Sequence, residues 1–118
     1  MKQDKFIVIN LIKKLIVHID KYLDAFPKKE IEIKKEIKSS SLEMLELAYE
    51  ANVSEQMDKK QDIQEKIMSK ILYIDFLINL CYDKQIINGK KYLKFGEDLS
   101  YLAKYVNGWK KYIKENRA

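Results

Sequence analysis

Seven lysines crowd the C-terminal quarter of the chain, at Lys90, Lys91, Lys94, Lys104, Lys110, Lys111 and Lys114, and are interleaved with Tyr101, Tyr105 and Tyr112. Lysine ammonium groups bind phosphates as point charges and release condensed counterions. Tyrosine rings stack on unpaired bases or give flat area to a protein interface. The tyrosines form a stripe a quarter turn from the apolar seam of their helix, and Lys90 and Lys94 extend it toward the helix start. The alternative is that these rings flank the core or a subunit contact. Residues 90–118 hold eight basic against three acidic residues, whereas residues 42–58 hold Glu43, Glu46, Glu50, Glu55 and Asp58 with no basic residue. Such a basic tract suits phosphates or an acidic partner surface, and a solvated helix face remains the other reading.

Catalytic chemistry is poorly provided for. His18 is the only histidine, which rules out a multi-histidine metal site and reads as structural. Cys81 is the only cysteine and lies in the apolar run of residues 71–82, where a reduced thiol packs as a small hydrophobe rather than serving as an accessible thiolate. Most carboxylates stand at helical intervals beside lysines, as Glu32 does beside Lys35, the pattern of surface ion pairs. Asp75 breaks the apolar run and reads either as a buried acid or as a rim group facing a lysine. The three glycines, Gly89, Gly96 and Gly108, are scattered, so there is no phosphate-binding glycine loop or nucleophile elbow. The expectation is a protein that binds, with no metal and no cofactor.

The elements that must carry these residues are all helical. The chain has 118 residues, 47% apolar and 35% charged, net charge +5, three glycines and one proline, a mixture typical of one compact helical domain. Lys13 and Lys14 interrupt the first apolar stretch, and no run reaches the roughly 18–20 apolar residues of a membrane span. Without a secretion signal, a cytoplasmic location is expected. The first helix is predicted from Gln3 to Asp24, with Val8, Ile12, Leu15, Ile16, Ile19, Tyr22 and Leu23 on one face. Phe26-Pro27 ends it, because the residue before proline is driven out of the helical region. The second helix is predicted over 28–53, interrupted by Ser39-Ser40-Ser41, which either admit a close neighbour or lie on a solvated turn. Ser54 and Asp58 are candidate N-caps for a third helix over 58–84. This helix is apolar nearly all round: Ile63, Ile67, Ile71, Ile74, Leu77, Ile78 and Cys81 face one side, and Leu72, Tyr73, Phe76 and Leu80 the rest. That excess predicts a subunit interface at Leu72, Tyr73, Phe76 and Leu80, joined by Tyr101 and Tyr105. The fourth helix, over 90–115, carries Tyr92, Phe95, Leu99, Leu102, Val106, Trp109 and Ile113 at alternating spacings of three and four, an unbroken heptad seam. Four such helices with short turns predict an all-α, antiparallel, up-down-up-down four-helix bundle.

Four segments also resemble a known family. Tyr22-Leu23-Asp24-Ala25-Phe26-Pro27-Lys28-Lys29-Glu30, then Ile37-Lys38, then Leu45-Glu46-Leu47-Ala48-Tyr49-Glu50-Ala51-Asn52, then Leu99 to Ile113 with Asn107-Gly108-Trp109 resemble, in order and separation, the Phe-Pro-Lys, helix-two, Glu-Ala-Asn and Gly-Gly-Trp signatures of the accessory variability determinant proteins of diversity-generating retroelements. Asn107 replaces the first glycine of the last signature, and basic charge is nearly all lysine, with Arg117 the only arginine. The resemblance implies a bundle protomer assembled as a homopentameric ring or barrel. It also implies binding to the element's reverse transcriptase and template RNA, extending to DNA or an RNA–DNA hybrid, in support of mutagenic cDNA synthesis. Active-site chemistry would belong to the polymerase. A sister group is encoded in intervening sequences of ribosomal RNA genes; residues 41–50 here lack its Ser-Ile-Pro-x-Asn-Ile-Ala-Glu-Gly motif. The rival expectations are a homo-oligomeric scaffold with no nucleic-acid role and, third, an amphipathic protein on anionic membrane surfaces.

Overall fold

A computed structural model describes residues 4–115; Gln3 and Arg117 lie outside the described residues. Four α-helices follow one another: α1 (Asp4–Tyr22), α2 (Ile31–Val53), α3 (Met57–Asp83) and α4 (Gly89–Glu115), with one short 3-10 turn at Lys28–Glu30 and no strand among the described residues. Each helix packs on its sequence neighbours and α1 packs on α4, while the backbones of the diagonal pairs α1/α3 and α2/α4 stay apart across the shared core. Ion pairs and hydrogen bonds between helix ends give the directions. Lys91 at the start of α4 reaches the Tyr22 carbonyl at the end of α1. Lys84 past the end of α3 pairs with Glu30 ahead of α2, and Lys59 early in α3 pairs with Glu50 late in α2. Neighbours therefore run antiparallel. The molecule measures 50 × 22 × 19 Å, its long axis set by the ~40 Å of a 27-residue helix.

The seam of α4 explains the packing. Phe95, Leu99, Leu102, Val106, Trp109 and Ile113 are all buried, against Ile12, Leu15, Ile19, Ile67, Ile74 and Ile78 of the same core cluster. Tyr92, at the top of the seam, is half-buried. Its ring stacks on Tyr82 at 4.3 Å and its hydroxyl donates to Asn79 Oδ1 at 2.6 Å. On α3 the seven residues of the expected inner face are buried. In α2, Ser40 and Ser41 are buried and only Ser39 faces water. The Ser41 hydroxyl donates to the Lys38 carbonyl at 2.8 Å, so its polarity is satisfied within its own helix.

The connections depart from sequence expectation in instructive ways. Pro27 is extended (φ −60°, ψ 136°) and precedes the 3-10 turn, so α2 begins only at Ile31. Phe26 is half-buried against the core. Ser54 does not cap α3: its hydroxyl accepts from Gln56 N–H at 3.3 Å, a local turn, and Gln56 occupies the cap position without a side-chain bond. Asp58 lies in the first turn, where its charge favours the helix dipole. At the end of α3, Gln85 takes φ 61° while Ile86 N–H bonds to the Cys81 carbonyl and Gln85 N–H to the Tyr82 carbonyl. This is a Schellman closure, with glutamine where glycine is commonest. Asn88 caps α4, its side-chain oxygen accepting from Lys91 N–H at 2.9 Å.

Candidate nucleic-acid interface

α4 holds the lysines on three sides of one cylinder. At 100° per residue, Lys90, Lys94, Lys104 and Lys111 share the outward face with Tyr101, over a rise of ~32 Å. Lys91 turns toward α1. Its ammonium donates to the Tyr22 carbonyl at 3.2 Å and so satisfies the last turn of that helix. This half-buried lysine is a structural clamp more than a phosphate contact. Lys110 and Lys114 turn toward α3, where with Lys111 they line an open groove of about 540 Å³ completed by Gln61, Glu65 and Asn107. At the other end Lys90, Lys91 and Lys94 line a groove of about 430 Å³ with Tyr22, Asn88, Leu93 and Glu97. The seven lysines thus form two basic ends joined by Tyr101 and Lys104.

Acidic neighbours and rings restrain several of them. Glu97 sits amid the outward face and pairs with Lys94 at 3.6 Å; Lys111 pairs with Glu115 at 4.0 Å. These exposed pairs are worth well under ~1 kcal/mol each and yield readily to a polyanion. Lys104 lies over the Tyr105 ring, 5.6 Å from its centroid. Of the tyrosine stripe, Tyr101 is 51% exposed. Tyr105 and Tyr112 are half-buried against the core, so only Tyr101 presents a ring fully enough to stack on a base.

The α2 part of the acidic tract, Glu43, Glu46 and Glu50, lies across the bundle from α4. Part of its charge is neutralised by α3: Lys70 meets Glu43 at 2.6 Å and Lys59 meets Glu50 at 3.8 Å. The hydrogen bond and charge of Lys70 hold the Glu43 carboxyl below its ordinary range. The expected subunit-contact residues are also placed. Leu72, Tyr73 and Phe76 are exposed on the outward face of α3, and Leu80 is half-buried at its edge.

Two titratable groups differ from the sequence reading. Asp75 is an exposed residue whose carboxylate accepts from Asn79 on its own helix at 3.3 Å rather than facing a lysine. The buried acid is Asp98, which meets His18 Nδ1 through Oδ2 and ties α4 to α1. An ionised carboxylate only accepts, so Nδ1 is the donor. The His18 ring lies 5.4 Å from Tyr22, which meets Phe95 edge-on at 5.7 Å. A signal for Asp98 is present in the sequence: three residues after Phe95 and four before Leu102, it shares the inner face of α4.

Cys81 is fully buried, and burial, with the Glu30 carboxylate adding to it, pushes its thiol up to about 11. Thiolate is the reactive form, so at pH 8 the native protein should resist iodoacetamide and label fully only in denaturant. Rapid labelling of native protein, followed by mass, would contradict this burial. Among the described residues no cluster of three or more His, Cys, Asp or Glu is placed to hold a metal, and no helix is long and apolar enough to cross a membrane. Comparison of the chain with protein-family models, with curated proteins and with solved structures gives no match.

Proposed function

We propose that this bundle is a non-catalytic nucleic-acid-binding protein whose α4 face holds RNA, in the role that its sequence resemblance implies. That role is a cytoplasmic accessory to the reverse transcriptase of a diversity-generating retroelement, working as a homopentamer in mutagenic cDNA synthesis. The observation that carries the binding half is the outward face of α4, with Lys90, Lys94, Lys104 and Lys111 around an exposed Tyr101. The polymerase half rests on the Phe-Pro-Lys, Glu-Ala-Asn and Asn-Gly-Trp segments. An adjacent reverse transcriptase gene, with near-identical repeats differing at adenines, is the observation that tests it.

Binding of a labelled single-stranded RNA by the purified protein tests the first half. Four phosphate contacts give a log–log salt slope of about −3 for a single strand. Lys104→Glu with Lys111→Glu should remove about half of that slope and weaken binding roughly tenfold or more at low salt. Glu97→Gln should strengthen binding by a few fold, because it frees Lys94 and removes a like charge from the path. Binding that ignores salt, or that survives the double reversal, sinks this reading.

A second reading is a homo-oligomeric scaffold with no nucleic-acid role. The apolar side chains that α3 leaves in water favour it. In that case the lysines confer solubility, and RNA binding is absent at every salt concentration.

A further inference from the structure

Asn-Gly occurs twice in the chain, at Asn88-Gly89 and Asn107-Gly108. In such a pair the glycine backbone nitrogen, with no Cβ to obstruct it, can attack the side-chain amide carbon of the asparagine. The fold puts the two pairs in opposite situations. Gly108 lies inside α4, where its N–H is held by the Lys104 carbonyl one turn back and the backbone is fixed on both sides. Gly89 opens the same helix, so its N–H has no intrahelical acceptor. Beyond its chain neighbours and its own helical turn, nothing lies within 4 Å of where a Gly89 side chain would start, and Asn88 is exposed. The cap bond from Lys91 N–H to Asn88 Oδ1, at 2.9 Å, holds the side chain away from the Gly89 nitrogen. Fraying of a first helical turn breaks such a bond at little cost.

We propose that Asn88 is a self-modifying site, converted without an enzyme to aspartate and isoaspartate. The Gly89 nitrogen gives its proton to hydroxide and bonds to Asn88 Cγ, the Cγ–Nδ2 bond breaks, and ammonia leaves as a five-membered succinimide closes. Water then opens the ring. Cleavage at Cγ gives aspartate, whereas cleavage at the main-chain carbonyl carbon gives isoaspartate, with the backbone routed through the former side chain. Aspartate still accepts from Lys91 N–H and its charge suits a helix N-terminus, so the cap survives. Isoaspartate lengthens the backbone at the cap and loses it.

The new charge falls among cations. Asn88 lines one groove with Lys90, Lys91 and Lys94, in which Glu97 is the acidic member. A carboxylate there takes one unit from the net charge of +5 and opposes a polyanion at the first basic end of α4. This consequence rests on the RNA-binding reading; the chemistry of Asn88 does not.

Ageing of the purified full chain at body temperature and mildly alkaline pH tests the conversion. Trypsin separates the two sites into the peptides Gln85–Lys90 and Tyr105–Lys110. By mass and retention, the first should split into aspartyl and isoaspartyl forms while the second stays unchanged, and in denaturant both should convert alike. An intact Asn88, or equal conversion of both sites in the native protein, overturns the proposal. RNA binding should fall as wild type ages but not as Asn88→Ser ages, because serine caps the helix and has no amide to lose. Asn88→Asp should bind RNA roughly two- to fivefold more weakly at low salt. If Asn88→Asp binds as wild type does while Lys104→Glu with Lys111→Glu weakens binding, the groove lies off the RNA path and the charge consequence is wrong. A protein that binds no RNA removes the proposed function and leaves the conversion of Asn88 standing.

Discussion

Asp98→Ala should lower stability by about 2–3 kcal/mol and the melting temperature by about 8–12 °C. Asp98 is buried on the inner face of α4 and meets His18 Nδ1, itself mostly shielded from water. Truncation removes a charge-assisted hydrogen bond and leaves the imidazole N–H without its acceptor in a half-buried site. The disturbance then reaches Tyr22 and Phe95, which pack in sequence behind the imidazole. Asp98→Asn should cost less, because its amide oxygen still accepts. Replacing both partners together by leucine should cost less than Asp98→Ala alone, since no polar group is then stranded. The check is a double-mutant cycle by thermal and denaturant unfolding. A melting temperature for Asp98→Ala within a degree or two of wild type would show the pair to be idle.

Gln64→Leu should act in the opposite sense, raising stability by about 1–3 kcal/mol. Gln64 is fully buried in the first half of α3, and neither its amide nitrogen nor its amide oxygen has a hydrogen-bond partner. No protein group takes the place of the water that folding strips from these two atoms. Leucine fits the same inner stripe, seven residues before Ile71, and contributes apolar burial instead. The melting temperature should rise by about 4–12 °C. Gln64→Glu should be severely destabilising, since it places a charge where a neutral amide is already costly. A Gln64→Leu protein less stable than wild type would mean that the amide finds partners in solution, such as a trapped water, that leucine forfeits.

Regular apolar spacing made most of the fold legible. The alternation of threes and fours on α4 required a single inner stripe, and Pro27 required a break, so helix number and order followed from local physics. Polar residues on inner stripes were harder to read. Asp98, Gln64, Ser40 and Ser41 occupy core positions by spacing, yet their polarity suggests surface until a partner helix is known. Asp98 is explained only by His18, eighty positions away in sequence. The lysines posed the converse difficulty. All seven look alike in sequence, but helical phase sends Lys91 to the end of α1 and Lys110 and Lys114 toward α3, leaving four on the open face. No local pattern distinguishes a clamp from a free cation without knowing which neighbour lies on which side.

The diagonal placement of α2 and α4 gives the protein an electrical axis across its width, distinct from its long axis. With Glu43, Glu46 and Glu50 on one flank and the α4 lysines on the other, an approaching polyanion exerts a torque as well as an attraction. Such a torque turns the bundle about its length until α4 leads. Dilute salt preserves this alignment beyond contact range, and at physiological ionic strength it acts only within about 8 Å. Moving the same lysines to α2 would leave the net charge at +5 and abolish the torque.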